Sequence, residues 1–311
     1  MSYRFEIRNL LTYLSLQVKQ KSSIKNPFSA YGFGKPLTLM SGEKLEIPRE
    51  YRYLLKAILD LANNHMVQFK TVKESSQEWE LDFKKSIFTV PQGIHFSLDS
   101  MDSTIFSETF VYDIHFAGFD LRDKIIIDAG GFVGDTALYY ASKGATVYTF
   151  EPDPINYTKL IRNLKLNNSL ARLIHPFNMA LGINGSVEFP IGNGGKGSVY
   201  SNSLLTVKVP SISLEEILNQ NNITDPYLLH LDVKGAEHNL LQDQVIEKFQ
   251  RLRIEYSPYM NGKDSEIFDY PSWIEDQLKS RNFSIIRVFK HNNIKKALNI
   301  HGTIDATKEN N

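Results

Sequence analysis

The stretch IIIDAGGFVGDTALYY, Ile125 to Tyr140, constrains the fold of this chain more than any other. Ile125–Ile127 is a short, wholly apolar, β-branched run that stops at Asp128. A strand apolar on both faces must be covered on both, as strands of parallel sheets are. Gly130, Gly131 and Gly134 follow at once, and Thr136 to Ser142 has helical spacing. The glycines permit positive φ and close approach of the backbone to a ligand, while the helix start offers N–H donors. A strand, a tight turn and a helix in this order open a βαβ unit. Open sheets bind ligands at the carboxyl ends of such strands, so a nucleotide-type cofactor is the natural occupant.

The alternation continues. Thr146–Phe150 is a second strand ending at Glu151, Ile155–Asn167 reads as a helix, and a third extended stretch falls near Leu173–Phe177. Later come Tyr227–Leu231 ending at Asp232, a helix from about Glu237, a strand Leu252–Tyr256, a helix Ser272–Ser280 and a strand Ser284–Phe289. Apolar strands alternating with helices predict an α/β fold with a mostly parallel sheet. Residues 1–104 read as an accessory region and 105–311 as the main domain. In the former, Leu10, Leu11, Leu14 and Val18 suggest an amphipathic helix, followed by a Pro-, Gly- and Ser-rich loop at Ser22–Lys35. Glu50–Asn63 reads as a second helix, with Tyr51, Leu54, Leu55, Ile58 and Leu61 on one face. IHFSL and FVYDIHF, within Ile87–Phe116, read as strands or extended connections.

Composition excludes several classes of function. Lys plus Arg and Asp plus Glu each total 35, so the formal net charge is zero. A chain built to hold phosphate backbones carries a basic excess, and no nucleic-acid partner is expected. No apolar run reaches the ~18 residues of a membrane span. The N-terminus lacks the order of a signal peptide, and a cytoplasmic location is expected. Without cysteine, thiolate nucleophiles, Cys-ligated zinc and iron–sulfur clusters are out of reach. Asp232 and Glu237 could supply two oxygen ligands to a metal, but no third stands at a recognisable spacing, so no metal is expected.

The acids discriminate between cofactors. Asp128 lies before the glycines, where a pyrophosphate would meet uncompensated negative charge. S-adenosylmethionine, with its ammonium and sulfonium, tolerates that charge. Glu151, 23 residues after Asp128, is placed to accept from ribose hydroxyls, in a methyltransferase or in an NAD(P)-dependent oxidoreductase alike. Ala129-x-Gly131-x-x-Gly134 carries alanine at the first glycine of the dinucleotide fingerprint. A methyl donor is favoured, and a dinucleotide or a non-catalytic Rossmann-like module stays open. The stretch IGNGGKGSVYSNS, Ile191 to Ser203, is no phosphate loop, because Gly197 follows Lys196 where Ser or Thr is required; it suits a hairpin or a lid.

DAGGFVGDTALYYASKGATVYTFEPDP, Asp128 to Pro154, resembles the opening of FkbM-type methyltransferases, a class I S-adenosylmethionine-dependent family. LLHLDVKGAEHNLL, Leu228 to Leu241, resembles the family's strand-four motif, and PFNMALG, VPSISLEEIL and RIEYSPY are shorter echoes. The resemblance spans about Glu108 to the C-terminal hairpin. Lys234 departs from it, where the family commonly has Glu, and so does Phe116, near its usual Tyr. The resemblance implies a Rossmann-like sheet whose last strands, Phe283–Phe289 and Thr303–Ala306, form an antiparallel edge. It implies that Gly130, Gly131 and Gly134 wrap the methionine part of the cofactor, with Asp128 taking its ammonium directly or through water. Glu151 would hold the ribose, and Asn178 and Met179 would lie beside the adenine. It further implies O-methylation of a sugar, glycan or secondary-metabolite hydroxyl.

Such an acceptor needs a base within hydrogen-bond reach. Asp232 and Glu237 are the candidates as base or acceptor clamp, against a role in orienting loops and helix ends; Glu255 is a third. His230 reads as a packed, satisfied histidine, and Lys248, Arg251 and Arg253 as a solvated basic set.

Overall fold

The computed structural model describes residues 37–39, 42, 44–70, 78–115, 119–191, 205–234, 236–256, 270–290 and 302–308. The helix expected around Leu10–Val18, the loop at Ser22–Lys35 and Phe116 lie outside these. The chain divides into two compact units, Met1–Gly118 and Phe119–Asn311.

In the first unit a 3-10 turn, Arg49–Leu54, runs into a helix, Leu55–Asn64, and Leu54, Leu55, Ile58 and Leu61 are buried. Four short strands, Phe69–Lys70, Trp79–Asp82, Ile87–Thr89 and His95–Ser97, form a sheet in that order. The extended reading of FVYDIHF is corrected here, since Ser103–Phe110 is a helix and the chain turns after it. Asp102 caps this helix, accepting from the N–H groups of Thr104 and Ile105. Phe106 and Phe110, four residues apart, both lie against Trp79 and Phe96. A cap and an i, i+4 aromatic pair outweigh the β preference of the aromatics.

The second unit is built on a seven-stranded sheet. Its strands in chain order are β1 (Ile125–Ala129), β2 (Thr146–Phe150), β3 (Ile174–Phe177), β4 (Leu228–Leu231), β5 (Arg251–Tyr256), β6 (Phe283–Lys290) and β7 (Gly302–Lys308). Its main helices are α1 (Asp135–Ser142), α2 (Pro154–Leu166), α3 (Leu214–Gln220), the four-residue α4 (Glu237–Leu240) and α5 (Tyr270–Lys279). Across the sheet the order is β6-β7-β5-β4-β1-β2-β3. All neighbours from β5 to β3 are parallel, and β7 is antiparallel to both β5 and β6. This is the class I methyltransferase arrangement, with the antiparallel edge the sequence implies. The order reverses between β4 and β1, which makes that crevice the switch point.

Register sorts the two faces. Ile127, Leu229, Leu252 and Ala306 stand in one row across β1, β4, β5 and β7, buried with residues of α3 and α5. The opposite face carries a polar row, Thr149, Asp128, His230, Arg253 and Asp305, one residue from each of five adjacent strands. All five are 3% exposed or less. Tyr140 of α1 covers the row, its ring edge-on to His230 at 5.7 Å.

The solvated basic set is thereby corrected. Arg253 is 2% exposed and its Nη1 donates to Asp305 at 2.7 Å. The Arg251 guanidinium lies over the Phe119 ring, 3.5 Å from its centre. Only Lys248 is exposed. A second, three-stranded sheet pairs Gly185–Pro190 antiparallel with Thr206–Ile212, so the Ile191–Ser203 stretch joins the arms of a hairpin. Residues 192–204 lie outside those described. Among the described residues no helix is long and apolar enough to cross a membrane.

Candidate functional site

The strand ends facing the switch point are tied into one surface by main-chain contacts. Gly130 and Gly131 both donate their N–H to the Phe150 carbonyl at 2.9 Å, and Asp232 donates its own to the Ala129 carbonyl at 2.9 Å. Gly130 sits at φ 98°, and a Cβ there would lie 2.2 Å from the Asp232 carbonyl oxygen. Only glycine lets the β1 turn pass the end of β4. A Cβ at Gly131 would fall 2.1 Å from Thr149 Oγ1, and Gly134 caps α1 at φ 85° with Leu160 of α2 beside it. Phe132, at φ 44°, takes a left-handed conformation without being glycine.

Asp128 is wholly enclosed, at 0% exposure. Its carboxylate accepts from Thr136 Oγ1 at 3.1 Å and Thr149 Oγ1 at 2.8 Å, and pairs with His230 Nδ1 at 2.8 Å. It thus binds the start of α1, β2 and β4 to the glycine turn. A cofactor ammonium would reach it directly only by displacing one of these partners.

Glu151, 5% exposed, accepts from the Phe132 N–H at 2.7 Å through Oε2 and from the Asp153 N–H at 2.8 Å through Oε1. Burial pushes its carboxyl up to about 8, although both N–H donors favour the charge. Asn178 donates through Nδ2 to the carbonyls of Glu151 at 2.8 Å and Pro152 at 3.2 Å, which fixes the loop after β3 to the one after β2. Met179 is partly buried against the main core.

Asp232, Lys234 and Glu255 form an acid–ammonium–acid cluster at the ends of β4 and β5. Lys234 Nζ contacts Asp232 Oδ1 and donates to Glu255 Oε1 at 2.9 Å. The side chains of Asp232, Lys234 and Glu255 are 26%, 15% and 19% exposed, open to a ligand as Asp128 is not. Burial, with Glu255 beside it, pushes Asp232 up to about 6 against the pull of Lys234. Burial opposes the charge of Glu255 too, but Lys234 outweighs it and holds that carboxyl below its ordinary range. Lys234 in turn stays above the usual lysine value, the two acids overcoming its own burial. Glu237 opens α4 and is completely enclosed.

Asp128, the three glycines, Glu151 and Asn178 are thus linked with Asp232 in one crevice. The supports that sequence reasoning missed are Thr136 and Thr149, two partners of Asp128; the third, His230, is packed and satisfied as its place in the strand led one to expect. Hydroxyls at the start of an amphipathic helix and inside an apolar strand were the available signal. Lys234 was visible only as a departure from the family pattern.

A family model described as the methyltransferase FkbM domain matches residues 128–285, just over half of the sequence. The chain belongs to the FkbM methyltransferase family. Among curated proteins, none matches this sequence. Solved structures similar to it include an rRNA methylase from Streptococcus thermophilus (13% identity, 64% of this chain and 96% of that one, TM-score 0.40). Magnesium protoporphyrin IX methyltransferase from Synechocystis, with bound S-adenosylmethionine, is 12% identical over 66% of this chain and 79% of its own, with a TM-score of 0.38. Fibrillarin from Aeropyrum pernix, with the same molecule natively bound, is 13% identical over 61% and 70%, at 0.36. As an FkbM-family member the protein is a methyltransferase, and its cofactor is S-adenosylmethionine. Among the described residues, no group of three or more acids or histidines is placed to hold a metal ion.

Proposed function

We propose that this protein transfers a methyl group from S-adenosylmethionine to a hydroxyl of a polar, carbohydrate-like or secondary-metabolite acceptor, with the second unit carrying the reaction. The observation that carries this reading is Asp232, a partly open carboxylate whose own backbone packs on the glycine turn at the switch point. A base so placed stands beside the cofactor crevice, where an acceptor hydroxyl must lose its proton.

The donor inventory of the turn supports a sulfonium cofactor over a dinucleotide. The N–H groups of Gly130, Gly131, Phe132 and Gly134 are all spent within the protein, so they offer a pyrophosphate nothing. Acids stand around the turn, Asp128 and Glu151 enclosed and Asp232 partly open, which suits an ammonium. When bound, the cofactor supplies an activated methyl group on a cationic sulfur. Gly130, Gly131 and Gly134 shape the turn against which its methionine end lies, and Asp128 acts on that end by bracing the turn. Glu151 accepts from the ribose, and Asn178 and Met179 border the adenine. Asp232 accepts the hydroxyl proton, a task suited to a carboxyl raised toward neutrality. Glu237, being enclosed, steadies the β4–α4 connection from behind.

Parallel calorimetric titrations with S-adenosylmethionine, S-adenosylhomocysteine and NADH test the cofactor. Micromolar binding of the first two with NADH silent is expected, and NADH binding alone overturns the reading. In an acceptor screen on glycans and hydroxylated metabolites, Asp232→Asn should lower turnover at least about a hundredfold with cofactor affinity nearly intact. Unchanged turnover would remove Asp232 from the mechanism.

A further inference from the structure

Asp232 and Glu255 directly follow Leu231 and Ile254, which are register partners on β4 and β5. The sheet itself therefore brings the two carboxylates side by side at the carboxyl ends of these inner strands, partly enclosed. Two acids so held repel each other and require a cation between them. Two kinds of cation can serve. Hard divalent ions take carboxylate oxygens readily, and a lysine ammonium offers three donors on a flexible stem.

Here the ammonium comes from the strand end itself. Lys234 lies two residues beyond Asp232 at φ 49°, a left-handed conformation that few side-chain-bearing residues adopt. Its Nζ reaches one oxygen of each acid. Arg253, in the buried row, adds positive charge behind Glu255.

We propose that Lys234 is the resident cation of this site. Its ammonium holds Asp232 and Glu255 together in the position a divalent metal would take, so the site works without such a metal and refuses one. The inference rests on the proposed function only in calling this the acceptor side; the exclusion of metal stands without it. It also narrows the acceptor. A substrate oriented by chelation to a metal must present two adjacent oxygens, whereas a site closed by lysine accepts an isolated hydroxyl.

Calorimetric titration of the full chain with Mn²⁺ alone tests this. The wild type should bind no stoichiometric ion at the acids, and Lys234→Met should bind one, with an affinity about tenfold or more above any weak binding by the wild type, since the repelling charge is gone. Adding Glu255→Gln to Lys234→Met should abolish that binding. Stoichiometric Mn²⁺ binding by the wild type that Asp232→Asn removes would overturn the proposal. So would a folded Lys234→Met, checked by circular dichroism, that binds no more Mn²⁺ than the wild type. Lys234→Gln serves the same comparison if the methionine variant fails to fold, and the wild-type and Asp232→Asn arms decide by themselves in either case. S-adenosylmethionine titrated in the same series separates the two readings: its failure to bind sinks the proposed function and leaves the Mn²⁺ result untouched.

Discussion

Replacing Gly130 by alanine places a methyl group where β1 and β4 nearly touch. The new Cβ would lie 2.2 Å from the Asp232 carbonyl oxygen and 2.9 Å from its carbon. Nonbonded atoms settle near 3.5 Å, so the end of β4 must retreat by about 1 Å. It cannot do so freely. Asp232 is held by its bond to the Ala129 carbonyl, and Gly130 by its bond to the Phe150 carbonyl. The φ of 98° adds about 1–2 kcal/mol of backbone strain. Gly185→Ala isolates the strain, because Gly185 has φ 131° and nothing within 4 Å of its would-be Cβ. Both variants should lose about 1–2 kcal/mol in urea unfolding from that source. Only Gly130→Ala should widen the switch-point crevice, raising the Kd for S-adenosylmethionine about tenfold or more and lowering turnover further, as misplacements of about 1 Å do. If calorimetry finds the two variants binding the cofactor alike, the crevice between β1 and β4 is not the cofactor site.

Two further predictions concern stability. The Glu151 carboxyl titrates near 4.5 when unfolded and about 8 when folded; between those values the unfolded chain binds fewer protons, so stability must fall as pH rises from about 5 to 8. Urea midpoints across that window should drop for the wild type and flatten for Glu151→Gln, and equal slopes would refute the assignment. Asp305→Ala leaves Arg253 buried without its partner and should cost about 3–5 kcal/mol. The paired replacement Arg253→Met with Asp305→Leu should recover most of that loss in thermal unfolding; a double variant as unstable as the single one would show that the ion pair itself holds the edge strands.

The parts of this protein that could be read from sequence are those whose signal is local. A β-branched run, three glycines and a helical period fix β1, its turn and α1 within eighteen residues, and Glu151 follows from the next strand end. The helix Ser103–Phe110 was also locally encoded, by Asp102 and the spacing of Phe106 and Phe110, yet the aromatic content of the stretch spoke louder for a strand. Other features depend on register between distant segments. His230 meets Asp128 across 102 residues, and Arg253 meets Asp305 across 52. No window along the chain contains such pairs. Arg253 still left a trace, since it alternates with Leu252 and Ile254 in a strand expected to be covered on both faces. A charged residue there is a buried residue awaiting a partner, not a solvated one.

The polar row through Thr149, Asp128, His230, Arg253 and Asp305 also dictates when this domain can finish folding. Synthesis delivers β1 to β5 first, and with them a guanidinium on β5, the strand that borders the sheet until β7 is made. Its carboxylate arrives on β7, about fifty residues later. Until that last strand inserts, the half-made sheet carries an uncompensated cation at its open border, which opposes premature closure and keeps the border soluble against pairing with other chains. Asp305 thus works as a latch, set only when the C-terminal strand docks between β5 and β6.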